Sequence, residues 1–129
     1  MADLEKITIN LTPVDLGRID ILVEEGFYQN RSDFIRAAIR RELEAHDEAI
    51  TAKAGRYPSW EAGVVHFSRQ DLEALARDSA KRDLFGLGSL SIDRDAPSSL
   101  VDWVFGRVRW YGPIDASSNV KSVLGRKAR

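Results

Sequence analysis

Lys6, Thr8 and Asn10 stand two residues apart in the run Lys6-Ile7-Thr8-Ile9-Asn10-Leu11. At that spacing an ammonium, a hydroxyl and a carboxamide share one face of an extended strand, and Ile7, Ile9 and Leu11 share the other. The polar set supplies hydrogen-bond donors and acceptors, which is the chemistry of binding. Residues suited to covalent or metal chemistry are sparse. The chain has no cysteine, which excludes a disulfide framework, a thiolate metal site and a cysteine nucleophile. Its two histidines, His46 and His66, read as an exposed helix residue and an ordinary strand residue. Asp93 and Asp95 read as turn caps before they read as cation ligands. Gly86-Leu87-Gly88 lacks the remainder of a dinucleotide fingerprint, and no G-x-S-x-G or H-E-x-x-H motif is present. No catalytic, cofactor-binding or metal-ligating residue is assigned, and the chain is not read as an enzyme.

The elements around the polar set follow from local signals. Thr12 is a good helix N-cap, Pro13 suits the first helical position, and Asp15 sits where a capping-box acid would lie. A helix is expected from Pro13 to Glu25, with Leu16, Ile19, Leu22 and Val23 on one stripe and Gly26 as its left-handed C-cap. Phe27-Tyr28-Gln29 connects, with an aromatic expected under the turn. Asn30 is the N-cap of a second helix, with Asp33 at its third position. That helix is expected to run from Arg31 to around Ala49 or Ala54. It would bury Phe34, Ile35, Ala38, Ile39 and Leu43, and turn Arg36, Arg40, Arg41, Glu42 and Glu44 to solvent. One strand cannot satisfy its own backbone groups, and no second strand follows to make a hairpin. The simplest solution is pairing with the same strand of a second copy, as a two-stranded antiparallel ribbon in an obligate dimer.

Strand, Thr-Pro, helix, glycine turn, Asn-Arg-Ser-Asp, helix is a specific order. KITINLTP at 6–13, the Gly26 turn and NRSDFIRAAIRREL at 30–43 resemble the ribbon-helix-helix superfamily of bacterial DNA-binding regulators, the Arc/MetJ/CopG group. The resemblance covers about two-fifths of the chain. It implies that Lys6, Thr8 and Asn10, doubled by a two-fold axis, contact base edges in the major groove. Two-stranded ribbons fit that groove. It also implies that Asn30, Arg31 and Ser32, at the start of the second helix, contact DNA phosphates. The partners implied are a double-stranded operator and a homodimer, with a tetramer as a further assembly. The activity implied is transcriptional regulation, most simply repression. Two alternatives remain open: an antitoxin of a toxin–antitoxin pair that represses its own operon, and a dimeric protein-interaction scaffold without DNA readout.

Net charge is −1, unevenly spread. Residues 1–54 hold seven Lys/Arg against eleven Asp/Glu, and residues 55–129 hold twelve against nine. The acidic first part counts against indiscriminate nucleic-acid binding, although a small basic face acts locally within a Debye length. The N-terminus is acidic with no apolar signal region, and no apolar run is long enough to span a bilayer. A cytoplasmic location is expected.

The fold class expected is α+β, a ribbon-helix-helix domain at 1–54, a linker at 55–62, and a small α/β or β-rich domain at 63–129. In the linker, Tyr57 and Trp60 could pin the chain to a neighbour. Beyond it, Gly63 to Ser68 is β-prone. Ser68 and Asp71 cap a helix carrying Leu72, Leu75 and Ala76 and ending near Ala80 or Arg82. Ser89-Leu90-Ser91-Ile92 and Val108-Arg109-Trp110-Tyr111 are strand-like, and Ser98 to Val104 is a short helix after Pro97. A weak repeat pairs Phe85-Gly86 with Phe105-Gly106 at an offset of twenty, and Ile92-Asp93 with Ile114-Asp115 at twenty-two, a period that suits stacked β or β/α coils. The tail Gly125-Arg126-Lys127-Ala128-Arg129 is basic and expected to be mobile. Oligomerisation, effector binding and toxin or other partner binding compete as the role of residues 63–129.

Overall fold

The computed structural model describes residues 4–78 and 80–128. It divides into two compact units, one formed by Lys6–Lys53 and the other by the chain from Ala54 onward together with residues 4–5.

The first unit is an arm without helix or strand, followed by two helices and most of a third. Helix α1, Pro13–Glu24, begins as its sequence dictates: Thr12 is extended, its hydroxyl accepts from the Asp15 N–H at 3.2 Å, and Pro13 occupies the first turn. Gly26 closes the turn at φ +86°, a conformation costly for any residue with a β-carbon. Tyr28, not Phe27, is the aromatic under the turn, meeting Phe34 edge to face at 5.0 Å, while Phe27 stays exposed. Helix α2, Arg31–Ala45, starts at Asn30, whose Oδ1 accepts from the Asp33 N–H at 2.8 Å. Asp33 returns the bond by accepting from the Gln29 N–H at 3.1 Å. The second helix is shorter than expected. It stops at His46, and a separate helix α3, Asp47–Ala54, restarts there. Asp47 and Glu48 suit a helix N-terminus, because their charge opposes the positive end of the dipole.

Residues 4–12 carry neither helix nor strand, and none of the described residues pairs with 6–11, where a strand is expected only on pairing with a second copy. One further expectation changes, since the apolar face of α2 is not buried. Phe34 and Ile35 are half-buried, while Ile39 and Leu43 are exposed. Among the described residues of the unit, Ile19 is the one that is buried.

The second unit is a parallel β/α array. Strand β1, Glu61–Phe67, is followed by helix α4, Arg69–Arg77, then strand β2, Arg82–Ile92, and helix α5, Ser98–Val104. Strand β3, Phe105–Tyr111, short strand β4, Ile114–Asp115, and helix α6, Ser118–Arg126, complete it. β1 and β3 flank β2, both parallel to it, and β4 extends the pairing of β3 along β2. Consecutive helices pack side by side, α4 on α5 and α5 on α6, so they form one layer over the sheet. Between the layers lies one core that includes Leu72, Leu90, Val101, Phe105, Val120 and Leu124. Each helix begins where its sequence provides a start. Ser68 and Asp71 form a reciprocal capping box, Pro97 precedes α5, and the Ser117 hydroxyl accepts from Val120 N–H.

Here the expected linker and repeat need correction. The strand begins at Glu61, two residues before the expected Gly63, and Tyr57 and Trp60 pack on the sheet. Tyr57 lies 4.4 Å from Phe85, and Trp60 stacks on Tyr57 at 5.5 Å. The array has three β/α coils, but their offset is 25 and then 24 residues, as in Gly63↔Gly88 and Leu87↔Tyr111. Phe85 pairs with Arg109, not Phe105, and Ile114 pairs with Leu90, not Ile92. Of the basic tail, Gly125 and Arg126 lie in the last turn of α6 and Lys127 is its C-cap, while Arg129 lies outside the described residues.

Glycines fix the stacking. A β-carbon on Gly88 would lie 2.0 Å from the Gly63 carbonyl oxygen, and one on Gly112 would lie 2.1 Å from that of Gly88. All three take φ near +120°. A β-carbon on Gly86 would meet the Trp110 ring at 2.7 Å, and the Trp110 indole N–H donates to the Gly88 carbonyl at 3.0 Å. Gly86-Leu87-Gly88 is therefore a packing motif.

Candidate nucleic-acid interface

The polar set Lys6, Thr8 and Asn10 lies on the arm before α1, and all three residues are exposed. So are the alternating apolar residues, with Ile7 at 73%, Ile9 at 52% and Leu11 at 37%. Exposure of both faces is unusual for an alternating segment, since isoleucine in water forgoes roughly 1.5–3 kcal/mol of burial free energy. Val14, Ile21, Ile39 and Leu43 of the same unit are exposed as well.

The second cluster is the start of α2. Asn30 and Ser32 are exposed, and the Asn30 side-chain oxygen is committed to the cap. Arg31 is engaged within the chain. Its Nε and Nη2 donate to the two carboxylate oxygens of Asp20, each at 2.8 Å. The hydrogen bonds from Arg31 lower the Asp20 carboxyl below its ordinary range, and those same bonds raise the guanidinium. Both side chains are about half exposed, so the pair contributes little to folding and is open to exchange with another anion. Sequence reading missed Asp20, because nothing in an eleven-residue separation marks the pair.

The second unit carries polar clusters of its own. His66 bridges two coils, with Nδ1 2.6 Å from the Ser91 hydroxyl and Nε2 3.1 Å from the Asp93 carboxylate. Asp93 also closes a turn, its carbonyl accepting from Ala96 N–H. An open cleft of about 330 Å³ lies between β3 and α6, lined by Trp110, Ile114, Lys121 and Leu124 among others. Among the described residues no group of three or more His, Asp or Glu is disposed to hold a metal ion, and no helix is long and apolar enough to cross a membrane.

A capped two-helix unit with an unpaired, alternating arm ahead of it is the module of ribbon-type DNA-binding regulators. The chain belongs to the Ribbon-Helix-Helix transcriptional regulator family, whose sequence profile matches residues 2–121. The match takes in both compact units, well beyond the fifty residues that carry the resemblance. The chain is also similar to Transcriptional regulator CdrS of Halobacterium salinarum, at 29% identity over 51 residues, or 40% of this chain and 93% of that protein. No solved structure matches.

Proposed function

We propose that this DNA-binding regulator is a homodimer that inserts an antiparallel ribbon of two 6–11 segments into the major groove and represses transcription. One observation carries the reading. Ile7, Ile9 and Leu11 alternate with Lys6, Thr8 and Asn10 on an arm with which none of the described residues pairs. Pairing two arms about a two-fold axis satisfies the backbone and turns the three apolar residues of each onto the exposed stripes of α1 and α2. It leaves the polar residues of both copies on one outward face. There Asn10 suits adenine, Lys6 the acceptors of guanine, and Thr8 either a hydroxyl contact or the thymine methyl. Asn30, Arg31 and Ser32 flank the ribbon as phosphate contacts, which set register without reading sequence.

The test is fluorescence anisotropy with the DNA upstream of the protein's own gene, across a salt series. Saturable binding, tighter than to scrambled DNA, is expected, and it should disappear when Lys6, Thr8 and Asn10 are replaced together by alanine. Absence of preference in the unaltered protein would point to a protein-interaction scaffold. The antitoxin reading is disfavoured by the packed core of the second unit, since a toxin-wrapping segment typically folds only on binding.

A further inference from the structure

The two edges of the parallel sheet differ. At the β3 edge, the Val108 N–H donates to the Lys127 carbonyl at 3.0 Å and Arg109 Nη1 donates to that of Ala128 at 3.0 Å, so the chain's own terminal residues cover it. Among the described residues, β1 has β2 on one side and no strand on the other. Residues 61–64 and His66 are exposed, with Val64 at 58%. Edge strands are ordinarily guarded by lysine, proline or a covering segment. Glu-Ala-Gly-Val-Val-His-Phe carries no lysine, arginine or proline, and Glu61 is its one acidic residue.

We infer that β1 pairs antiparallel with β1 of a second copy, joining two parallel sheets into one continuous mixed sheet. Seven residues have a central one, and a two-fold axis through Val64 lets the whole strand pair. It sets Val64 against Val64, Ala62 against His66, and Glu61 against Phe67. The exposed valine gains an apolar cross-strand partner, and the small alanine leaves room for the imidazole. The two glutamates lie at opposite ends of the ladder, about 20 Å apart. In-register parallel pairing would instead set like charges side by side. A heterologous strand would need its own complement to this sequence, whereas a second copy supplies one by symmetry. The interface is separate from the 6–11 ribbon, and neither depends on the other.

Because the chain has no cysteine, single-cysteine variants report the pairing directly. In an antiparallel ladder, directly opposed residues have Cα atoms about 4.5–5.5 Å apart, within the span of a disulfide. In the full-length protein under a glutathione redox buffer, Val64→Cys should cross-link at least about tenfold faster than Ser122→Cys on exposed α6, as expected for a preformed contact. A mixture of Ala62→Cys and His66→Cys should cross-link, while Ala62→Cys alone should not. Equal rates for Val64→Cys and Ser122→Cys would overturn the inference, as would self-linking of Ala62→Cys at the rate of the mixture. The cross-link is read without DNA, so its failure is distinct from a failure of the DNA-binding reading.

Discussion

Arg31 at the first position of α2 grips Asp20 in the middle of α1 through two parallel hydrogen bonds of 2.8 Å. The guanidinium expected to meet a phosphate thus already holds an anion of the same geometry. Carboxylate and phosphate both accept a bidentate guanidinium. Asp20→Asn should leave the thermal midpoint nearly unchanged and tighten DNA binding. Arg31→Ala should weaken binding to all sequences alike and flatten the slope of log K against log salt by about one for each phosphate no longer neutralised. Anisotropy titrations at several salt concentrations check both.

The ribbon reading predicts a specific failure. Ile9→Asp places a carboxylate where two arms would bury an isoleucine against the helices, and an unpaired buried charge is strongly unfavourable. Analytical ultracentrifugation should show dissociation of the homodimer. A folded dimer of this variant would contradict the intertwined arrangement.

The glycine column predicts a contrast within one residue type. Gly88→Ala must accept both φ near +120° and a carbonyl 2.0 Å from the new methyl, so it should destabilise the second unit by at least about 2 kcal/mol. Gly17 lies inside α1 with open space around it, and Gly17→Ala should stabilise that helix by about 0.5–1 kcal/mol. Urea denaturation followed by circular dichroism separates the two. Phe105→Ala, at a fully buried ring, should cost about 3–5 kcal/mol in the same assay.

Acid stability should follow the aspartates. The Arg107 backbone N–H, donating to Asp83 Oδ1 at 2.7 Å, holds the Asp83 carboxyl below its ordinary range. Bonds from Ser68 act likewise on Asp71, and the Lys127 ammonium on Asp102. A carboxyl depressed in the folded state stabilises above its unfolded value of about 3.9 and loses that contribution as pH falls through the folded value. These groups should therefore contribute fully at neutral pH and lose their contribution below about pH 4. Asp83→Asn should make the acid limb shallower, as read by urea midpoints against pH.

Legibility in the sequence tracked the range of the interaction. The Thr12-Pro13 start, the Gly26 turn, the Asn30 cap, the Ser68/Asp71 box and the helix after Pro97 were readable because each cap bonds within about one turn of chain. Helix α6 also left a local signal, Ser117 followed by Val120, Val123 and Leu124 at helical spacing, which the basic tail obscured. The coil period was not readable at twenty residues. Strand register is set by long-range pairing, and offsets of 25 and then 24 residues leave no fixed period to read. Asp20 with Arg31 left no signal because the pair forms only once the chain has turned back on itself, and for the same reason Tyr57 was readable as an anchor while its partner Phe85 was not. Of the interface, residue types and alternation were visible at Lys6, Thr8 and Asn10, while the anion already held by Arg31 was not.

The column of Gly63, Gly88 and Gly112 also bears on how this domain can change in size. Each strand pairs only with its neighbours, through the same left-handed glycine and with helices packed side by side above it, so the second unit is a stack whose height is set by how many coils it contains. Duplicating one coil in phase with the glycines would lengthen it by one strand spacing, about 4.8 Å, while leaving the joints above and below chemically unchanged. The domain is in that sense extensible, and its size can drift over evolutionary time in whole steps without redesigning the module that precedes it.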